Sequence, residues 1–313
     1  MVAKGLDWQV ALSIFAGSPA QIWELRGLDP SPEETWDHLR AYLHLDEGDI
    51  RAMLETVEPL FRQGHDLVVE NYAYLEAFPE TAALLGWSGG ADPQHLAERR
   101  RFFTVWLART LGLDFSHDFA RYLFRAGQIH AGHGRRHLHI PSLYVVGSIG
   151  LMTASFARVL EQAGVRTDTQ LKALAGWNKV FILHLQMMLQ GYRSALALEE
   201  GETKVRVTVY GRLRSLIGRD SLEIGIYPGQ SVLEVLRKFF NYYPQARSEI
   251  LESLWESQHH DDARGNPWME VERVYRPRAG WRILRNGRDI AYLAEDQWRL
   301  EGADQLAIFP PGR

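Results

Sequence analysis

Between residues 32 and 200, apolar positions recur at spacings of three and four, the repeat of one buried helix face. Trp36, Leu39 and Leu43 open the series, and Ile50, Leu54, Val57 and Phe61 continue it after a break. Ser31 precedes Pro32, Glu33 and Glu34, the pattern of a capped helix with proline in its first turn. Asp46 with Asp49 reads as another N-cap. Further helices are predicted over 65–77, 92–111, 116–130, 142–164 and 167–198, separated by breaks at 86–90, at Gly112 and at a histidine-rich loop, 132–139. At Glu199-Glu200-Gly201-Glu202 the period changes. Residues 204–211 alternate with period two and are β-branched, 222–226 repeat the alternation, and 231–240 read as an amphipathic helix capped by Ser231. Short strands follow at 281–284 and 305–309, with Asn286-Gly287 as a turn. The pattern therefore gives an N-terminal extension over 1–32, an all-α domain over 33–198, a linker over 199–203 and an α+β domain over 204–313.

Composition narrows the chemistry. The 313 residues suffice for two domains, and 46% hydrophobic with 24% charged residues is a soluble globular balance. A net charge of −4 gives no general attraction to nucleic acid or to an anionic membrane. The absence of cysteine excludes disulfides, cysteine-held iron–sulfur clusters, thiolate-ligated haem and a cysteine nucleophile. The first residues lack a long apolar signal core, and no run approaches the ~20 apolar residues of a membrane span, so a cytoplasmic protein is expected. Dinucleotide-binding, phosphate-loop and serine-elbow motifs do not occur. No enzyme class is indicated.

One histidine stands out. Arg125-Ala126-Gly127-Gln128-Ile129-His130 places an imidazole at the end of an amphipathic helix, ten residues before the apolar run 140–146. A neutral imidazole against a hydrophobic wall is what an axial haem ligand requires, although a lone histidine on an apolar face is more often structural. His130, His133, His137 and His139 are irregularly spaced with no acidic residue among them, unlike a helical zinc site.

Three separated motifs carry a resemblance. The run 69–81, Val-Glu-Asn-Tyr-Ala-Tyr-Leu-Glu-Ala-Phe-Pro-Glu-Thr, resembles the B-helix of the protoglobins, relatives of the sensor globins. Tyr72 is the position of a distal tyrosine there, with Asn71 where the family often has tryptophan. Arg99-Arg100-Arg101-Phe102-Phe103-Thr104-Val105-Trp106 is similar to the family's E-helix, in which Phe103 and Trp106 take the distal packing positions. Gly127-Gln128-Ile129-His130 resembles the F-helix motif, and Ile140-Pro141-Ser142-Leu143-Tyr144 the start of the G-helix. The resemblance covers about residues 33–197. It implies a globin fold binding haem b, with His130 as proximal ligand to the iron and a diatomic gas (O2, CO or NO) on the distal side. Phe103, Trp106, Phe124, Leu143, Tyr144, Val146 and Met152 are expected to contribute to the pocket. Arg99–Arg101 and Arg135-Arg136 read as solvated helix faces or as propionate partners. Sensors of this type pair through their last helices, and Trp177, Phe181, Leu185, Met188 and Leu189 suit either such a homodimer face or the domain core.

The C-terminal half resembles the ubiquitin-like β-grasp sulfur carriers, the small subunit of molybdopterin synthase and its thiamine-pathway relative. The matching runs are 205–214, 231–236 with Tyr243-Pro244, 284–288 and 300–311, the last ending in Phe-Pro-Pro; 248–278 has no counterpart. A carrier needs a free terminal glycine carboxylate, whereas this chain ends Pro310-Pro311-Gly312-Arg313, so Gly312 serves only after Arg313 is removed. Three functions follow: a haem gas sensor whose β-grasp domain docks a protein partner; a sulfur-carrier or molybdenum-cofactor accessory, with a molybdopterin-synthase-like or carrier-activating partner; and a haem-free interaction module.

Overall fold

The computed structural model describes residues 23–261 and 264–312. They form two compact units: Pro30–Leu196, and a second composed of the segment ending at Asp29 and the chain from Ala197 onward.

The first unit is helical: α1 Pro32–Tyr42, α2 Glu47–Arg62, α3 Gly64–Ala77, α4 Pro79–Leu85, α5 Pro93–Leu111, α6 His117–His130, α7 Ser142–Gln162 and α8 Thr167–Glu199, whose last turn belongs to the second unit. The starts are fixed by local chemistry. Ser31 accepts the Glu34 N–H while the Glu34 carboxylate accepts the Ser31 N–H, and Asp46 with Asp49 repeats this capping box. Trp36, Phe119, Leu123, Leu183 and Met187 form one core cluster; Met53, Leu67, Tyr72, Phe156, Trp177 and Phe181 belong to another. Trp177 and Phe181 thus belong to the core and not to an outer face. Trp177 donates its indole N–H to Thr56 Oγ1 at 3.0 Å.

The crossing of α6 and α8 is the tightest feature. A Cβ on Gly127 would lie 1.9 Å from the Met188 carbonyl oxygen, and one on Gly191 would lie 1.9 Å from the Phe124 carbonyl oxygen. The two backbones touch, which only paired glycines permit. Beside this crossing, His184 on α8 is buried between Trp36, in parallel contact at 6.0 Å, and Phe119, edge-on at 5.1 Å. Its Nδ1 has no hydrogen-bond partner, and burial drives its pKa down to about 3.

Helix α7 departs from expectation: by length and composition it is apolar enough to cross a membrane; only 28% of that stretch is buried, with Met152, Phe156, Val159 and Leu160 in the core. Leu143, Val146, Gly147, Gly150, Leu151 and Ala154 form an exposed stripe along its other side.

The second unit contains a five-stranded sheet. β1 Thr203–Val209 pairs antiparallel with β2 Ser221–Ile226; α9 Arg212–Ile217 connects them. After α10 Val232–Tyr242 and the short α11 Arg247–Ile250 come β3 Leu251–Asp261, β4 Pro267–Pro277, β5 Arg282–Arg285, β6 Arg288–Asp289 and β7 Gln305–Phe309. The sheet order is β2-β1-β7-β5-β6 with β1 parallel to β7, the arrangement of a β-grasp fold. Alternate strand residues (Val205, Val207, Ile224, Ile283, Leu306, Ile308) and Val235, Leu236, Phe239 and Phe240 of α10 are buried. The Leu-Glu-Gly-Ala-Asp block at 300–304 has a structural purpose: Asp304 accepts from Arg285 at 2.8 Å, from the Asn286 amide and from the Glu301 N–H at 2.9 Å. Burial opposes its ionisation, but these donors outweigh it and hold the carboxyl below its usual range.

The segment without a sequence counterpart forms a separate two-stranded sheet, β3 against β4, in register from Leu251↔Pro277 to Asp261↔Pro267. Residues 23–29, read from sequence as part of an extension, join this unit. Leu25 exchanges two 2.9 Å backbone hydrogen bonds with Tyr275, and Arg26 pairs with Glu24, Glu256 and Glu272.

Two predictions follow from the helical core. Gly191→Ala forces α6 and α8 apart and lowers unfolding stability by about 1–3 kcal/mol or more in urea titrations. Because His184 takes a proton far more readily when unfolded, stability falls as pH drops from about 6.5 toward 3, at up to about 1.4 kcal/mol per unit from this group. His184→Leu removes that component, seen as a smaller loss of urea midpoint between pH 7 and pH 4.5.

Candidate functional site

Helices α3, α5, α6 and α7 surround a cleft holding about 1120 Å³ of space, solvent at its mouth included. Its lining is mostly hydrophobic and aromatic with a few polar groups among it, as ligand-binding clefts are. Tyr72 and Leu75 come from α3, Arg99, Phe103 and Trp106 from α5, Leu123, Ala126 and His130 from α6, and Met188 from α8. Ile140, Tyr144, Val145, Ser148, Ile149 and Met152 complete the opposite wall.

His130 occupies the last turn of α6, one turn beyond the glycine crossing. Its Nδ1 lies 2.7 Å from the Ala126 carbonyl oxygen, which assigns the ring proton to Nδ1 as donor. Nε2 then carries the lone pair, with no protein partner among the described residues. Burial pushes the imidazole pKa below its ordinary value; the Ala126 bond opposes this and the Arg99 charge adds to it. The ring is neutral at neutral pH. A neutral imidazole with one nitrogen fixed by a carbonyl and the other open to an apolar cleft has the form a metal ligand requires.

Tyr72 is buried, edge-on to Phe103 at 6.0 Å, and burial raises its phenol pKa. Its hydroxyl donates to the Arg99 carbonyl oxygen at 2.8 Å. Phe103 and Trp106 pack against each other at 5.2 Å and extend the aromatic lining.

Six of the nine residues expected at the pocket, namely Tyr72, Phe103, Trp106, His130, Tyr144 and Met152, are brought together on this cleft. Leu143 is not. It is 71% exposed, because α7 presents Tyr144, Val145, Ser148, Ile149 and Met152 inward, and Leu143 and Val146 fall about 100° away on the helix. Phe124 is buried beside Gly191 and away from the cleft. Arg136 is bound to Glu98 at 3.0 Å, and Arg135 is exposed. His139 takes no part in the cleft and meets Tyr192 Oη at 2.7 Å. Gly312 is exposed beyond β7; Arg313 lies outside the described residues.

Sequence reading missed Leu75, Leu84, Leu85, Ile140, Ser148 and Ile149. The i, i+4, i+8 spacing of Tyr144, Ser148 and Met152 was the available signal.

No curated protein matches this chain at a significant level. Among solved structures, the globin domain of the Geobacter sulfurreducens globin-coupled sensor is 16% identical, covering 50% of this chain and 97% of its own, with a TM-score of 0.41. The globin domain of E. coli DosC in a ferric form is 14% identical over 51% of this chain and 99% of its own, with a TM-score of 0.40. Small archaeal modifier protein 1 of Methanosarcina acetivorans is 24% identical over 35% of this chain and 93% of its own, with a TM-score of 0.26. The protoglobin family model matches residues 32–197, more than half of the sequence, and the chain belongs to the protoglobin family.

Proposed function

We propose that the helical unit is a haem domain that binds a diatomic gas and reports its binding through the β-grasp unit to a protein partner. The observation that carries this reading is His130: its Nδ1–H is tied to Ala126 and its Nε2 is left free in an apolar cleft. The donor set fits haem b, which needs one strong nitrogen ligand and a hydrophobic slot. Haem, when bound, supplies an iron with one position for His130 and another for O2, CO or NO.

The chain's own residues do the rest. The Ala126 carbonyl fixes the imidazole's tautomer and orientation and increases its basicity as a ligand. Phe103, Trp106, Ile149 and Met152 exclude water from the slot. Tyr72 is the distal hydrogen-bond donor, and it must release the Arg99 carbonyl before its hydroxyl can turn to a gas. Reporting rests on α8, which contributes Met188 to the cleft and continues without a break to Glu199, four residues before β1 starts at Thr203. A gas alters the β-grasp unit only through different affinities for two arrangements of that helix.

His130→Ala abolishes the Soret band of protein reconstituted with haem, whereas an unchanged spectrum would overturn the reading. Tyr72→Phe raises the oxygen dissociation rate about five- to tenfold, the worth of one neutral hydrogen bond, as stopped-flow measures. Carbon monoxide binding to the ferrous protein changes amide hydrogen exchange within 199–313, and identical exchange would sink the coupling.

A further inference from the structure

Beside Arg99 of the cleft lies a hydrogen-bonding conflict. The Trp87 indole N–H points at His95 Nδ1 at 3.1 Å, and the Arg99 Nε–H points at His95 Nε2 at 3.0 Å. A neutral imidazole has one acceptor nitrogen, and a protonated one has none. Burial lowers the His95 pKa, with the Arg99 charge acting in the same direction, so the ring is neutral. It can accept from Trp87 or from Arg99, but not from both.

Trp87 is 2% exposed, and an unmet indole N–H there has no other acceptor within reach. Arg99 is half-buried and lines the cleft. Among the described residues no carboxylate stands at ion-pair distance from it: Glu98, the adjacent acid, is held by Arg136. The lining of this largely apolar cleft therefore includes a guanidinium with donors to spare. A half-buried cation without a counter-charge is costly, and a ligand carboxylate would meet that demand with charge-assisted hydrogen bonds.

We propose that Arg99 is the anion-recognising residue of the cleft and receives a propionate carboxylate of its porphyrin, leaving His95 to Trp87. This rests on the haem reading above and, of the two arginine clusters singled out from sequence, assigns the carboxylate contact to Arg99 and not to Arg135 or Arg136. Arg99 acts on ligand selection and retention, and His130 on the iron.

The test uses the full-length apoprotein, iron protoporphyrin IX and its dimethyl ester, in wild type, Arg99→Met, Arg99→Lys and the control Arg136→Met. Absorbance titration gives the affinity ratio of diacid to diester, and transfer to a scavenging apoglobin gives the rate of porphyrin loss. Wild type and Arg136→Met favour the diacid by about ten- to hundredfold. Arg99→Met binds the two alike and releases the diacid faster by a similar factor, with an unchanged Soret position that reports both folding and His130 ligation. Arg99→Lys restores part of the preference. An equal preference in wild type and Arg99→Met, or none in wild type, overturns the assignment while the haem reading stands. If wild type takes up neither porphyrin, the haem reading itself fails and this inference falls with it.

Discussion

The contact between the α6 and α8 backbones at Gly127 and Gly191 is the constraint on which the helical unit depends. No side chain fits between Gly127 and the Met188 carbonyl or between Gly191 and the Phe124 carbonyl. Fixing the two helices this closely places Met188 of α8 and His130 of α6 on the same cleft. It also sets the rotation of α6 about its axis. Leu123, Ala126 and His130, at successive turns, line the cleft, while Phe119 and Ala120 are buried in the core. A one-residue slip of this crossing would turn the imidazole away from the cleft by about 100°.

Charge in the cleft follows from the same burial. His130 and His95 are neutral because desolvation disfavours their cationic forms, and the Tyr72 phenol stays protonated for the corresponding reason. Arg99 cannot escape in this way, since a guanidinium does not give up its proton in proteins. Burial lowers its pKa without discharging it. The cleft thus combines an apolar wall, an uncharged nitrogen ligand and a fixed cation. That combination suits a flat, largely hydrophobic ligand with an acidic edge.

Much of this was legible in one dimension, for identifiable reasons. Ser31 with Glu34, Asp46 with Asp49 and Ser231 with Glu234 are short-range capping signals, and all three occur as capping boxes. The strands at 203–209, 221–226 and 305–309 each bury one face against an amphipathic helix, so their alternation shows. The β3–β4 sheet was missed because most of it is exposed and its half-buried β3 positions, Glu256, Gln258 and His260, are polar, which leaves no apolar alternation to read. Leu25, which bridges to Tyr275 of β4, lies some 250 residues away in sequence, beyond any local pattern. Leu143 was misplaced because its neighbours in the motif, Tyr144 and Val145, are the ones that helical rotation turns inward.

Taken alone, the amino-acid order determined the helical and α+β halves and the change of period near residue 200, because each is written in spacings of a few residues, whereas Tyr72, Phe103, Trp106 and the role expected of His130 were singled out by family resemblance. Only tertiary structure decided which nitrogen of His130 is free, that the Tyr72 hydroxyl is taken by the Arg99 carbonyl, and that among the described residues Arg99 has no counter-ion while Arg136 has Glu98. Hydrogen-bond partners and unmet charges depend on distances between helices, and those distances are set by packing.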